Sequence, residues 1–469
     1  MQAKSRRAGR AGALALAGLL LAAGAAHGDF PGALSEYRAG HYEIAHAQFL
    51  SLAELGECAS QFNLGAMALK GQGGPKDPGS GVGWLQAAAG NGCEQLVGNA
   101  LPGLEARLSS EESRTAAGIV AQYGHAALEA QGVFKPEFLC PGETAPTVLE
   151  SPLPEYPHTG AGTLQSAIVV VKLTVGRDGL ARDPQVLLAL PAEGFAAAAV
   201  EAWLNSRFAP ATRGSSAVES RLQARSMFAG SEAATPADLP QIRKARPAAA
   251  AGDPAAGYLL GLSGMLDASL GIPRAQAEKL LIDAARGGDS QAQYWIGSQL
   301  RDSAACHPKA DGAVWLRHAA VGGSSAARLL LATDLLAGAP TAAQVGQARE
   351  LLRQAAQSPE YFVTKHVAAL LAASPVVAVR DPATALALAR RLLAGEIQSD
   401  PQMFEVIAAA FAASGDFRGA VAQQQTAIRR ARALGWDVRA MDDRLAAYRA
   451  SRSWSGDLLA RAPAATHAA

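Results

Sequence analysis

Aromatic residues are scarce in this chain, 6% of 469 positions, while alanine makes up much of its 49% hydrophobic content and 48 glycines stand beside it. So few rings disfavour a large β-sandwich and suit helices that pack closely on small residues. Cysteine is sparse too, with four in all, and no CxxC pair or HExxH occurs. Cys306 beside His307 is a lone adjacent pair, so no zinc site is expected. An excess of charge is also missing: 42 basic residues face 41 acidic ones. Nucleic-acid binding needs a concentrated basic surface, and the run Arg429, Arg430, Arg432 reads as the solvated face of a helix. GxSxG, P-loop and GxGxxG-plus-acid patterns are absent and the nine histidines are scattered, which argues against an enzyme and implies no cofactor or small-molecule substrate.

Apart from the N-terminus, every apolar stretch is interrupted by Arg, Asp or Glu, so none is long enough to span a bilayer. The N-terminus itself places Lys4, Arg6, Arg7 and Arg10 before an apolar run from Ala11 to Ala26, the layout of a secretory signal. Cleavage after Gly28 is expected, and with it a periplasmic location; a retained leader would instead anchor the chain in the inner membrane. Without those four basic residues the chain carries 38 basic against 41 acidic side chains, a net charge near −3.

What is present is repetition. GECASQFNLG at Gly56, GDPAAGYLLG at Gly252 and GDSQAQYWIG at Gly288 share a leading Gly, a polar residue, small residues, an aromatic and a closing Gly nine residues on. The leading glycines recur after 36 residues from Gly252 to Gly288, 35 more to Gly323, and 36 from Gly56 to Gly92. That period predicts paired antiparallel helices stacked as an α-solenoid, with Ala59, Gly65, Ala292 and Gly297 at close approaches. Phe62, Leu64, Trp84, Leu85, Tyr294, Trp315 and Leu316 fill the seams. After Cys93 the pattern is displaced, which implies an irregular or capping unit.

These segments resemble the Sel-one-like repeat class, a relative of the tetratricopeptide repeat. Tyr37, Gly40, Tyr42 and Ala45 near the start look like the ordinary tetratricopeptide form. So do Phe404, Ile407, Ala408, Phe411, Ala420 and Ala427 near the end. Cys58 and Cys93 stand 35 residues apart in successive units. Helices usually pack about 8–10 Å apart and a disulfide needs Cα atoms within about 7 Å, so a bridge between them requires the irregular unit to tilt inward.

A different pattern occupies residues 148–229. SPLPEYP favours an extended entry. Ala167 to Val175 and Leu180 to Leu190 read as strands around a turn at Asp178-Gly179. A helix follows from Phe195, and Val218 to Phe228 alternates as a half-buried strand. The order predicts one helix on a three-stranded antiparallel sheet. The landmarks Tyr156-Pro157, Asp178-Gly179, Trp203, Arg207-Phe208, Pro210-Ala211 and Phe228 resemble the TonB C-terminal domain, although Gln165-Ser166-Ala167 replaces that family's Gly-x-Val.

That resemblance implies capture of a partner strand on the last strand, whose edge residues are Glu219, Arg221, Gln223, Arg225 and Met227. Arg221 and Arg225 would either select acidic or polar partners or protect the edge from aggregation. The expected organisation is a signal peptide at 1–28, helical repeats at 29–132, a linker at 133–150 and the TonB-like domain at 151–230. A second linker at 231–250, Sel-one-like repeats at 251–398, a tetratricopeptide-like repeat at 399–452 and a disordered tail at 453–469 complete it. Two functional readings follow: an envelope adaptor docking an outer-membrane transporter or its periplasmic segment, or a repeat scaffold in which the sheet domain is only a plug.

Overall fold

The computed structural model describes residues 29–133, 142–157, 166–191, 194–230, 239–267, 270–302 and 312–459. The expected leader, Cys306, His307 and the last ten residues lie outside that range. The chain divides into two compact units, one built chiefly of residues up to 135 and the other chiefly of residues from 136. Both are dominated by helices, and among the described residues no helix is long and apolar enough to cross a membrane.

The repeat has a physical signature that recurs position by position. Gly56, Gly252, Gly288 and Gly323 all adopt positive φ, between +74° and +102°, and end one helix in the left-handed conformation that glycine tolerates best. The next residue caps the following helix: Glu57, Asp253, Asp289 and Ser324 each accept a bond from a backbone N–H of its first turn. Five positions after the glycine, Gln61, Gln293 and Arg328 each donate 2.9 Å back to a carbonyl of the preceding helix, on Ala53, Ala285 and Ala320. Nine positions after it, a Cβ on Gly65, Gly261 or Gly297 would stand 2.7–2.9 Å from Cγ of Leu85, Leu281 or Leu316, so only glycine lets the paired helices meet.

In the first unit the helices Phe30–Arg38 and Tyr42–Ala53 turn at Gly40, and Phe49, Leu64, Met67 and Trp84 form the core. The helices Cys58–Lys70 and Pro78–Ala88 make the first full repeat pair. The pattern then breaks, as the displaced motif after Cys93 implied. Ala89–Cys93 is a single wide turn, and only the short helices Glu94–Val97 and Leu101–Glu105 follow. The helix Ser110–Tyr123 takes the vacant neighbour position: a Cβ on Gly79 or Gly83 would lie 2.8 Å from its backbone at Glu112 or Ala116.

The second unit is organised around a sheet. Among the described residues its strands are β1 (Thr147–Glu150), β2 (Ala167–Val175), β3 (Ala181–Leu190), β4 (Arg207–Ala209), β5 (Ala211–Arg213), β6 (Ser216–Val218) and β7 (Ser220–Phe228). The central sheet is antiparallel with order β3-β2-β7, while β1 pairs with β4 and β5 with β6. Gly179 sits at φ +71° in the β2–β3 turn, where Phe208 donates its backbone N–H to the Gly179 carbonyl at 3.0 Å. The helix Ala196–Leu204 lies on one face, and Trp203 Nε1 donates to Ser226 Oγ at 2.9 Å. Tyr156, Phe195 and Phe228 form an aromatic cluster with centroids 4.9–6.1 Å apart, so the conspicuous landmarks of the sequence are core residues here.

Every residue of β2 is buried, which requires both faces of the sheet to be covered. Val169, Val171, Leu173 and Val175 pack with Val200 and Leu204 and also with Ile428, Ala431 and Leu445 from the C-terminal helices Phe417–Ala433 and Arg439–Arg449 and with Trp436 from the turn between them. Ile168 and Val170 pack on the opposite side with Leu239, Ile242, Ala256 and Leu260. The sheet is the middle layer of one core, not a separate module between two arrays.

Three expected boundaries are corrected accordingly. The linker at 133–150 contains β1, whose Val148 stands opposite Phe208. The linker at 231–250 contains the helix Pro240–Ala250, whose Ile242 and Ala245 are buried, so Pro247 is accommodated inside a helix. The tail expected to be disordered from 453 is docked as far as 459: Gly456 donates its backbone N–H to the Ala373 carbonyl at 2.9 Å, Ser453 Oγ donates to the Ala412 carbonyl at 2.8 Å, and Leu458 is buried.

Candidate functional site

The five edge residues singled out in the sequence lie on or beside β7, at the margin of the central sheet. Glu219 is exposed in the junction between β6 and β7, and Met227 is 37% exposed. The strand alternates as expected: Ala224, Ser226 and Phe228 are buried, whereas Arg221 and Met227 reach the surface. Across the ladder, Arg221 faces Thr174, Gln223 faces Lys172 and Arg225 faces Val170.

The side chains between those ends are already committed. Arg221 donates to Thr174 Oγ1 and, at 3.3 Å, to Asp183 Oδ2. Gln223 Oε1 accepts from Trp295 Nε1 at 3.3 Å. Arg225 forms an ion pair with the buried Asp267. These arginines, read from the sequence as selecting a partner or as protecting the edge, are therefore paired within the chain. Their carboxylates come from strand β3, for Asp183, and from the C-terminal cap of the helix Pro254–Leu266, for Asp267.

Arg221 belongs to a larger polar cluster that the sequence did not single out. Asp183, at φ +51° in β3, lies 2.7 Å from His366 Nε2 and 3.0 Å from Lys365 Nζ, and its backbone N–H donates to Gln402 Oε1 at 3.0 Å. Lys365 Nζ is also 2.8 Å from Asp400 Oδ2, both side chains being fully buried, and Tyr361 donates its hydroxyl to the same oxygen at 2.9 Å. Lys172 Nζ, in the middle of β2, lies 2.8 Å from Asp302 Oδ2. Strands β2, β3 and β7 are thus tied to the helices Ser290–Asp302 and Tyr361–Ala373 and to the cap of Pro401–Ala413.

Burial alone would push the Asp183 carboxyl up, but the charges of His366, Lys365 and Arg221 outweigh it and hold the group well below the usual carboxylate range. Burial likewise opposes the charged form of Lys365, yet Asp400 and Asp183 raise its affinity for the proton. Lys172 goes the other way: burial lowers it, and Asp302 only partly compensates. The signals in the sequence were Lys172 inside an otherwise apolar strand and Asp183-Pro184 inside another. Both break the strand pattern, and buried charges need partners.

The first unit holds the other candidate residues. Cys58 and Cys93 are joined as a disulfide, with Cα atoms 5.6 Å apart. In the wide turn that ends at Cys93, Asn91 Nδ2 donates to Gln61 Oε1 and to the Tyr123 carbonyl, each at 2.9 Å. A cleft of about 710 Å³ opens where short helices replace a full one, lined by Gln86, Glu105, Leu108, Ala116, Ala117 and Val120 among others. Among the described residues, no group of three or more His, Cys, Asp or Glu side chains could hold a metal ion.

No family model matches the chain, and no curated protein does. One solved structure that it resembles is that of a protective antigen present in uropathogenic Escherichia coli strains and displaying an SLR fold. It is 15% identical, with a TM-score of 0.31, over 92% of this chain and 73% of that one.

Proposed function

We propose that this chain is an exported, non-catalytic repeat scaffold of the periplasm that binds other envelope proteins through its helical surfaces. In this reading the sheet domain, with its resemblance to the TonB C-terminal domain, is the joint around which the helices of the second unit close. The observation that carries it is the commitment of Arg221 and Arg225 to Asp183 and Asp267, with both sheet faces covered by helices of the same chain. A transporter-docking strand would keep such side chains available to choose its partner. Repeat arrays offer extended surfaces for protein partners, and the absence of catalytic motifs in the sequence leaves binding as the simplest role.

A second reading, an adaptor for TonB-type transport, rests on a different observation. Strand β7 ends the order β3-β2-β7, so among the described residues no strand pairs with its outer edge. A photoreactive residue placed in turn at Ala117, Arg349 and Met227 in cells separates the two. Protein adducts from Ala117 or Arg349 and none from Met227 are expected of the scaffold. Adducts to an outer-membrane transporter from Met227 alone would overturn it in favour of the adaptor. Intact-mass measurement of the envelope fraction tests export, and a mass that includes residues 1–28 would replace cleavage with anchoring.

A further inference from the structure

A group of exposed large hydrophobic side chains lies not on β7 but on and after β1. Val148 is 47% exposed, Leu149 66% and Leu153 93%, within six residues of one another. Single exposed apolar residues are ordinary, whereas a group of them on a strand edge marks an interaction surface. The strand continues beyond its named ends: Glu143 bridges Arg213, Thr144 donates its backbone N–H to the Thr212 carbonyl at 2.9 Å, and Val148 and Glu150 pair with Phe208 and Arg207. Residues 143–150 therefore run antiparallel to 207–213 along one side only. Among the described residues no strand pairs with the other side.

Edges left open in this way are usually guarded by lysine, by proline within the strand or by a covering helix. Here the four residues of β1, Thr-Val-Leu-Glu, include neither lysine nor proline and are all exposed, while the preceding Pro146 is buried. A bulge between Val148 and Glu150 interrupts the pairing with β4 and re-aims Leu149 outward. The chemistry of the edge also selects its occupant. Between residues 142 and 157 there is no Lys or Arg but there are three glutamates, of which Glu143 is held by Arg213 at 3.1 Å while Glu150 and Glu155 are exposed. Two copies of this edge would bring acidic segments together, which like-charge repulsion disfavours. A strand with apolar residues and a cation opposite Glu150 satisfies both features.

We propose that the open edge of β1 takes up an extended, apolar segment of another protein bearing lysine or arginine, added as a strand. The inference rests on the protein-binding reading above and adds to its helical surfaces one strand-docking edge, on β1 and not on β7. Main-chain bonds would supply much of the affinity, Val148, Leu149 and Leu153 the apolar contact, and Glu150 the choice of charge.

The test uses the mature full chain and two fluorescein-labelled peptides, Lys-Thr-Val-Thr-Val-Thr-Val-Lys and the same sequence with Glu at both ends, read by fluorescence polarisation. Saturable binding of the Lys-ended peptide, at least about tenfold tighter than the Glu-ended one, is expected. Glu150→Lys should reverse that preference and Leu149→Asp should weaken binding about tenfold or more, both with unchanged circular dichroism, since both side chains are exposed. Met227→Asp, on β7, should change nothing. Equal binding of both peptides, no binding, or loss of binding only in Met227→Asp overturns the proposal. So does a dimer seen by sedimentation that Leu149→Asp dissolves and the Lys-ended peptide does not. Photoadducts from Ala117 or Arg349 that persist while the β1 edge fails leave the scaffold standing without this site. Their absence removes the scaffold whatever β1 does.

Discussion

Asp183 Oδ1 and His366 Nε2 lie 2.7 Å apart although 183 residues separate them in the chain, and the contact joins strand β3 to the helix Tyr361–Ala373. Lys365 Nζ reaches the same oxygen at 3.0 Å and Asp400 Oδ2 at 2.8 Å, so one ammonium bridges the sheet's carboxylate and the one that caps the helix Pro401–Ala413.

Asp183→Asn keeps a residue type that tolerates positive φ and removes only the charge. It should destabilise the second unit by about 3 kcal/mol, the low end of what breaking a buried ion pair costs, measured by urea unfolding. The pH dependence follows from the sign of the shift. The folded carboxyl sits well below its ordinary value, so its contribution is full above the unfolded value of about 3.9 and fades as pH falls through the folded one. Between pH 4 and pH 2 the wild type should therefore lose more stability than Asp183→Asn. Parallel acid titrations of the two proteins would contradict this.

Lys365→Met leaves the fully buried Asp400 without its cation and should cost about 3–5 kcal/mol. Adding Asp400→Asn retains a side-chain oxygen to cap Pro401–Ala413, where Asp400 accepts from the Gln402 N–H at 2.9 Å, and removes the orphaned charge. The double variant should be more stable than Lys365→Met alone. A double-mutant cycle with no recovery would show that the pair is not the source of the loss.

Replacing Cys58 and Cys93 by serine opens a loop spanning 35 residues and should lower the stability of the first unit by about 3–4 kcal/mol on the chain-entropy account. The second unit should melt unchanged. Differential scanning calorimetry of the full chain, with and without reductant, reads both transitions, and non-reducing peptide mapping should recover the two cysteines in one linked pair.

Glycine substitutions separate close approach from mere helix propensity. Gly297→Ala would set a Cβ 2.9 Å from Leu316 Cγ and 3.0 Å from the Gly312 carbonyl oxygen, and should cost about 1–3 kcal/mol by overpacking. Gly346→Ala, inside the helix Ala342–Ala355 with nothing within 4 Å of the new atom, should instead stabilise by about 0.5–1 kcal/mol. Thermal melts of the two variants moving in the same direction would contradict the packing argument.

Features encoded within one repeat or one hairpin were legible in the sequence. The glycine period, the caps after each glycine, the Asp178-Gly179 turn and the alternation along β7 all depend on neighbours a few residues away or on the next helix. The irregular unit after Cys93 was legible as a departure from that period. The coverage of the sheet was not. Nothing local to Ile428 or Trp436 says that the C-terminal helices pack on β2, and nothing local to PQIRKARPAAA says that it is a helix under the same sheet. Arg221 and Arg225 read as free cations on an edge because their carboxylates, Asp183 and Asp267, stand 38 and 42 residues away in sequence. Residue type along β7 determined that a charged strand would form at the sheet margin. Only the tertiary structure decided that its arginines would be used internally, since it buries Asp183 and Asp267 beside them, and carboxylates taken out of water must find their counter-charge within the fold.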